Sequence, residues 1–319
     1  MAGQDRAFSP YPRKVGQATD LQDYQPKQMI ISRIIGGLGN QMFQYAAARS
    51  LAIRKQQPLF LDASDFTNYA LHRFELTRVF DCPVELASNE EMQHVLGWRA
   101  SQSIRSVLSR SHFGRLRGRN FLVEPHFEYW PELFEIPGDC YLVGYWQSEK
   151  YFIEMATEIR RDFTFKSPLA GKNLELSKKI EACNSISLHI RRGDYVTDAK
   201  TKSTLGVCSL GYYRDAIAHL VDKVSSPCFF VFSDDISWAK AHLGLDLPCT
   251  YIDHNHGEEN YRDMQLMSLC RHNIIANSSF SWWGAWLNPH SDKIVIAPKR
   301  WFASQMSSTD LVPLTWTRL

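Results

Sequence analysis

No stretch of this chain stays apolar for the roughly 20 residues a helix needs to cross a bilayer, and the first residues lack the apolar core of a secretion signal. A cytoplasmic protein is expected. There is no C-x-x-C pair, and the seven cysteines are odd in number and widely spaced, which fits a reducing compartment better than a disulfide framework. No charge dominates: 36 lysines and arginines face 34 aspartates and glutamates, for a net of +2. A field that weak gives no sign of a nucleic-acid partner, so local clusters must name the partner. The Asn277-Ser278-Ser279 triplet fits a glycosylation sequon, but it opens one of the constellations below and is read as accidental.

What is present, at 319 residues, is enough chain for two domains with a cleft between them. Residues 1–28 are polar, carry Pro10, Pro12 and Pro26 and read as a disordered N-terminal extension. From Met29 a β-branched run (Ile30, Ile31, Ile34, Ile35) reads as a strand and Gly36-Gly37-Leu38-Gly39-Asn40 as a turn. Residues 41–55 then read as a helix apolar nearly all round, as in one buried between two layers. Pro58–Asp62 and Cys140–Trp146 read as strands, and Phe127, Tyr129, Trp130 and Phe134 are expected to line a pocket. From Ser185, strands (185–190, 228–233, 249–252, 273–276, 293–297) alternate with helices (209–224, 236–243, 258–272, 279–288). That alternation predicts parallel βαβ units in an α/β fold, with ligands at the carboxyl ends of the strands. Between Arg99 and Arg119 lie six arginines and no acidic residue. They read as a solvated insertion, or as a patch that docks an anionic or lipid-linked acceptor or, less favoured, RNA.

His189-Ile190-Arg191-Arg192-Gly193-Asp194 follows the first strand of that series. Paired guanidinium forks match phosphate oxygens, Gly193 lets the backbone turn close to a ligand, and Asp194 can hold one guanidinium in place. A surface ion-pair cluster is the plain alternative. Asn277-Ser278-Ser279-Phe280-Ser281-Trp282-Trp283-Gly284 also follows a strand, so its serines fall at a helix N-terminus, where they bind anions or simply cap the helix. The two clusters share one end of one sheet, and a diphosphate site is their joint reading. Asp234 and Asp235 end another strand, where they suit a metal, a guanine or ribose, or a helix cap. The chain contains no D-x-D triplet, so the arginines are expected to replace a metal in neutralising a leaving diphosphate. The Gly36–Gln41 turn lacks the Gly-Lys-Ser/Thr ending of a nucleotide loop. His254, His256, Glu258 and Glu259 read as a polar loop ahead of a metal cluster.

Four segments, Gly36 to Arg49, His189 to Asp194, Phe232 to Asp235 and above all Asp253 to Asn288, resemble the family 11 glycosyltransferases, the α-1,2-fucosyltransferases of bacteria and animals. Lacking the membrane anchor of the animal members, the chain looks like a bacterial one. The resemblance implies a GT-B-like fold: an N-terminal Rossmann-like acceptor lobe (29–165), a C-terminal lobe that binds GDP-fucose (166–300) and a C-terminal tail (301–319). It further implies inversion at the anomeric carbon and no metal or other cofactor. The acceptor would be the 2-hydroxyl of a terminal β-galactoside, such as lactose or an O-antigen repeat, with peripheral contact to a lipid-linked acceptor at the membrane. By the same likeness Arg191 contacts the leaving diphosphate with Arg192 beside it, and Asn40, in the turn with Gly37 and Gly39, faces the sugar. Asp235 faces the guanine, and Ser278, Ser279 and Phe280 the diphosphate and base. His189 and Asp194 stand near enough to act as base or as supports for the arginines. The rival readings are another fucosyl linkage, α-1,6 or to a protein, and a non-catalytic glycan- or nucleotide-binding protein.

Overall fold

The structure, a computed structural model, describes residues 28–67, 72–136, 138–193, 195, 198 and 203–319. Asp194 and the extension over 1–27 lie outside the described residues.

The N-terminal lobe runs β1 (Ile30–Arg33), α1 (Leu38–Lys55), β2 (Leu59–Asp62), α2 (Leu76–Val79), β3 (Glu85–Leu86), α3 (Asn89–Leu96), α4 (Gln102–Leu108), β4 (Phe121–Val123), β5 (Cys140–Val143) and α5 (Ala156–Asp162). Its strands form a parallel sheet in the order β3-β2-β1-β5-β4. The C-terminal lobe runs α6 (Gly171–Glu181), β6 (Asn184–Ile190), α7 (Leu210–Val221), β7 (Pro227–Ser233), α8 (Ile236–His242), β8 (Cys249–Ile252), α9 (Tyr261–Leu269), β9 (His272–Ile274), α10 (Ser279–Leu287), β10 (Val295–Ala297) and β11 (Thr317–Arg318). This second sheet is also parallel, in the order β11-β10-β9-β6-β7-β8.

Parallel strands bury both faces, and here helices cover them. Met92, Val95, Leu96 and Leu108 of α3 and α4 pack on Ile31, Tyr141 and Val143 on one side of the N-terminal sheet. Helix α1 covers the other side, and its remaining surface meets the C-terminal lobe. Phe43 of α1 lies 4.5 Å from Trp282 and 5.0 Å from Trp283 of α10, ring centre to ring centre. A helix clamped from both sides is exposed only near its C-terminal end, at Arg54, which explains why its apolar residues run nearly all round. The indole N–H groups of this cement are all satisfied, as buried tryptophans require: Trp282 donates to Leu311 O, Trp283 to Gly39 O and Trp286 to Glu149 Oε2.

Three details depart from the sequence reading. Helix α1 begins at Leu38, so Gly39 and Asn40 belong to its first turn and not to the turn before it. The aromatics expected to line a pocket are packed against other rings instead, Phe127 on Phe302, Tyr129 on Tyr151 and Trp130 on Trp146. Residues 301–319 do not trail as a tail: Trp301, Phe302, Leu311 and Trp316 are buried, and Thr317–Arg318 pair with β10. Asp310 carries that segment back to the N-terminal lobe by accepting the Tyr129 N–H and pairing with Lys150.

Candidate active site

Strands β6 and β7 run side by side with Ile190 opposite Ser233, so the Arg191-Arg192 and Asp234-Asp235 corners leave the sheet together. Asp234 accepts the Arg192 backbone N–H at 2.8 Å and stands 3.1 Å from Arg191 Nη1. A Cβ on Gly193 would come within 2.5 Å of Asp234 Oδ2, so a larger residue here would push that carboxylate aside. Asp234 therefore holds the loop that presents Arg191, a role sequence reading had not given it. Asp235 takes up the helix-cap role among those open to it, capping α8 through the Trp238 N–H at 3.1 Å, and lies 3.5 Å from Arg192 Nε. The Arg192 guanidinium stacks 3.8 Å over the Trp238 ring. Arg191 lines the cleft and Arg192 does not.

His189 is buried behind Arg191, its ring 6.1 Å from that of Phe280. Burial, helped by the Arg191 charge, holds its pKa down at about 3, so the imidazole stays neutral at any physiological pH. So weak a base suits a neutral support better than proton abstraction.

The second wall comes from the strand-to-helix turn after β9. Asn277 is buried and donates to the carbonyls of Leu205, Gly206 and Trp301, which leaves it no room as a glycan carrier. Ser278 is the N-cap of α10 but its hydroxyl makes no capping bond. With no side chain capping that end, its positive dipole and first-turn N–H groups face the cleft.

The third wall is the start of α1. Gly36 has φ +78°, a left-handed conformation that favours glycine, and Gly37 is an N-cap without a side-chain bond. Asn40 Oδ1 accepts from Gln147 Nε2 at 2.8 Å. A Cβ on Gly39 would lie 2.5 Å from the Ser279 carbonyl carbon and 2.7 Å from the Phe280 nitrogen. The positive ends of two helices, one from each lobe, thus meet at one cleft of about 620 Å³. Gly37, Gly39, Asn40, His189, Arg191, Asp235, Ser278, Ser279 and Phe280 all line it.

Sequence reasoning missed Asp263, in the first turn of α9, where an acidic residue reads as ordinary dipole compensation. It lines the cleft and accepts from Asn255 Nδ2 at 2.7 Å; burial pushes its carboxyl up to about 7. The histidines and glutamates nearby diverge. His254 pairs with Asn173, His256 with the Asp253 carbonyl, and Glu258 with Arg73 across the lobes at 2.7 Å. Among the described residues no group of three or more His, Cys, Asp or Glu side chains is arranged to hold a metal ion.

Residues 120–319 match the family described as Glycosyl transferase family 11. An α-1,2-colitosyltransferase of Escherichia coli is 36% identical over 304 residues, 91% of this chain and 99% of that protein. A galactoside α-(1,2)-fucosyltransferase 2 of Sus scrofa is 24% identical over 273 residues, covering 82% of this chain and 71% of the pig protein. Among solved structures, the NodZ α-1,6-fucosyltransferase soaked with GDP-fucose superposes with a TM-score of 0.54 at 17% identity, over 82% of this chain and 93% of that one. That likeness, with the two parallel sheets, gives a GT-B-like fold of two Rossmann-like lobes.

Proposed function

The chain belongs to glycosyl transferase family 11, and from that premise we propose that it moves fucose from GDP-fucose to the 2-hydroxyl of a terminal β-galactoside, inverting the anomeric carbon. The observation that carries this reading is the meeting of two uncapped helix N-termini with Arg191 at one cleft. Such a site suits a diphosphate, and suits it most when the sugar bond breaks.

The acceptor hydroxyl oxygen attacks C1 as the bond from C1 to the phosphate oxygen breaks; that electron pair leaves with GDP, and the hydroxyl proton passes to the departing phosphate. Arg191 and the N–H groups at the start of α10 meet the new charge, so the reaction calls on protein cations where other transferases use a metal. Loss of one preorganised donor of this kind typically costs about 2.7–4 kcal/mol. Guanine offers two adjacent N–H donors on one edge, and Asp263 is the better candidate to receive them than Asp235, whose two oxygens already serve Trp238 and Arg192.

A second reading concerns the sugar alone. The Escherichia coli relative is named a colitosyltransferase, and colitose is fucose without its 3-hydroxyl. Both donors would use the same diphosphate site. Parallel assays with GDP-fucose and GDP-colitose on lactose, with the product linkage read by NMR, test both. Preferential fucosyl transfer to the galactose 2-position supports the first reading, and preference for the deoxy sugar supports the second. An α-1,6 product, or GDP binding without transfer, removes both.

A further inference from the structure

We propose that the outer face of residues 97–119, on the N-terminal lobe, docks the protein onto an anionic phospholipid surface. This face lies beyond α3 and α4, on the side of the sheet opposite α1 and so turned away from the C-terminal lobe.

The six arginines here divide into two sets. Arg99, Arg105 and Arg117 turn inward. Arg99 donates to the carbonyls of Leu96 and Arg117, and Arg117 donates at 2.8 Å to those of Leu108 and Arg110. Arg105 is buried against Asp62 at 3.3 Å. These bonds staple residue 99 to 117, and 117 to 108 and 110, which draws the residues beside them into one surface. Arg110, Arg115 and Arg119 are exposed. Among the described residues their guanidinium groups make no ion pair, and no acidic residue lies between 99 and 119.

Beside these cations stand large apolar side chains that a water-facing surface does not need. Trp98 is 66% exposed, Leu116 56% and Val107 38%. Scattered apolar residues are ordinary on any surface. A tryptophan and a leucine set among three unpaired arginines are the composition of a membrane-interface anchor, in which the ring sits at headgroup level and the cations meet anionic lipid. Single-stranded RNA would also answer to arginines beside an exposed tryptophan, but Leu116 and Val107 offer it nothing, so the apolar component favours lipid. Docking through this face leaves the cleft between the lobes uncovered.

The test is flotation of the full chain with phosphatidylglycerol-containing vesicles and with pure phosphatidylcholine vesicles across a salt series. Binding to the anionic vesicles that falls as salt rises is expected. The combined Arg110→Ala, Arg115→Ala and Arg119→Ala variant should bind them about 100-fold more weakly, since each cation near such a surface is worth about fivefold. Trp98→Ser with Leu116→Ser should lose the binding that survives high salt. Unfolding midpoints near that of the parent show that both variants are folded. Equal binding to neutral vesicles, an arginine variant that floats like the parent, or tighter binding to polyuridylate than to the vesicles would overturn the proposal.

Discussion

Gly39 of α1 and Ser279 of α10 touch backbone to backbone, closely enough that a methyl group on the glycine would stand 2.5 Å from the serine carbonyl carbon. The Trp283 indole locks the pair by donating to Gly39 O at 3.0 Å. One contact thus sets the spacing of the lobes and aims both helix ends at the same cleft.

Gly39→Ala tests that geometry. The obstructing atoms are backbone and cannot rotate away, so the lobes must part, at an overpacking cost of about 1–3 kcal/mol. Transfer should fall at least tenfold. Gly284→Ala is the control, because its Cβ would meet Met267 Cβ at 2.9 Å, between α9 and α10. It should lower the unfolding midpoint with a much smaller effect on rate per folded molecule. Equal rate losses in the two variants would mean that the Gly39 contact has no special bearing on the cleft.

Arg191→Lys keeps the charge and loses the planar fork. Turnover should drop about 100- to 1000-fold with the unfolding midpoint nearly unchanged. Steady-state kinetics and a thermal scan check this, and near-normal turnover removes Arg191 from the mechanism.

Asp263 makes GDP binding depend on pH. Its carboxyl sits at about 7 in the free protein, so it is mainly neutral below that pH and ionised above it. Guanine's paired N–H donors need the ionised form. Affinity for GDP, followed by calorimetry, should fall as pH drops from 8 to 6, approaching tenfold per pH unit below 7. Asp263→Asn should bind weakly at every pH, without that slope. A slope that persists in the variant assigns it elsewhere.

Excess EDTA should leave the transfer rate unchanged, and added magnesium should not raise it. Loss of activity on chelation, restored by a divalent ion, would show that protein cations alone do not meet the departing charge.

The C-terminal lobe was legible because its strands alternate with helices at a regular period, and β8 fell where the pattern put it. The β1-to-α1 passage was nearly so. Its error, a helix expected three residues late, came from reading Gly39 as a turn former when it is there for close packing. Strands β3, β4 and β11 have two or three residues each, too few to show a period, and they exist because neighbouring strands template them. At the site, Arg191 and Ser278–Phe280 were visible as residue types at a strand end. Asp234 was singled out but not its role, and Asp263 was not seen at all, because nothing local tells a buttress from a cap, or a cleft-lining carboxylate from one in water. The aromatics of 127–134 misled for the opposite reason, since rings that fill a core and rings that line a pocket look alike in sequence.

The most direct measurement is a crystal structure of the GDP complex grown with magnesium present. β-Phosphate oxygens are expected within hydrogen-bonding reach of the Arg191 guanidinium and of the N–H groups at the start of α10, with the guanine edge on Asp263. A diphosphate bridged by the cation, with Arg191 directed elsewhere, would contradict that arrangement.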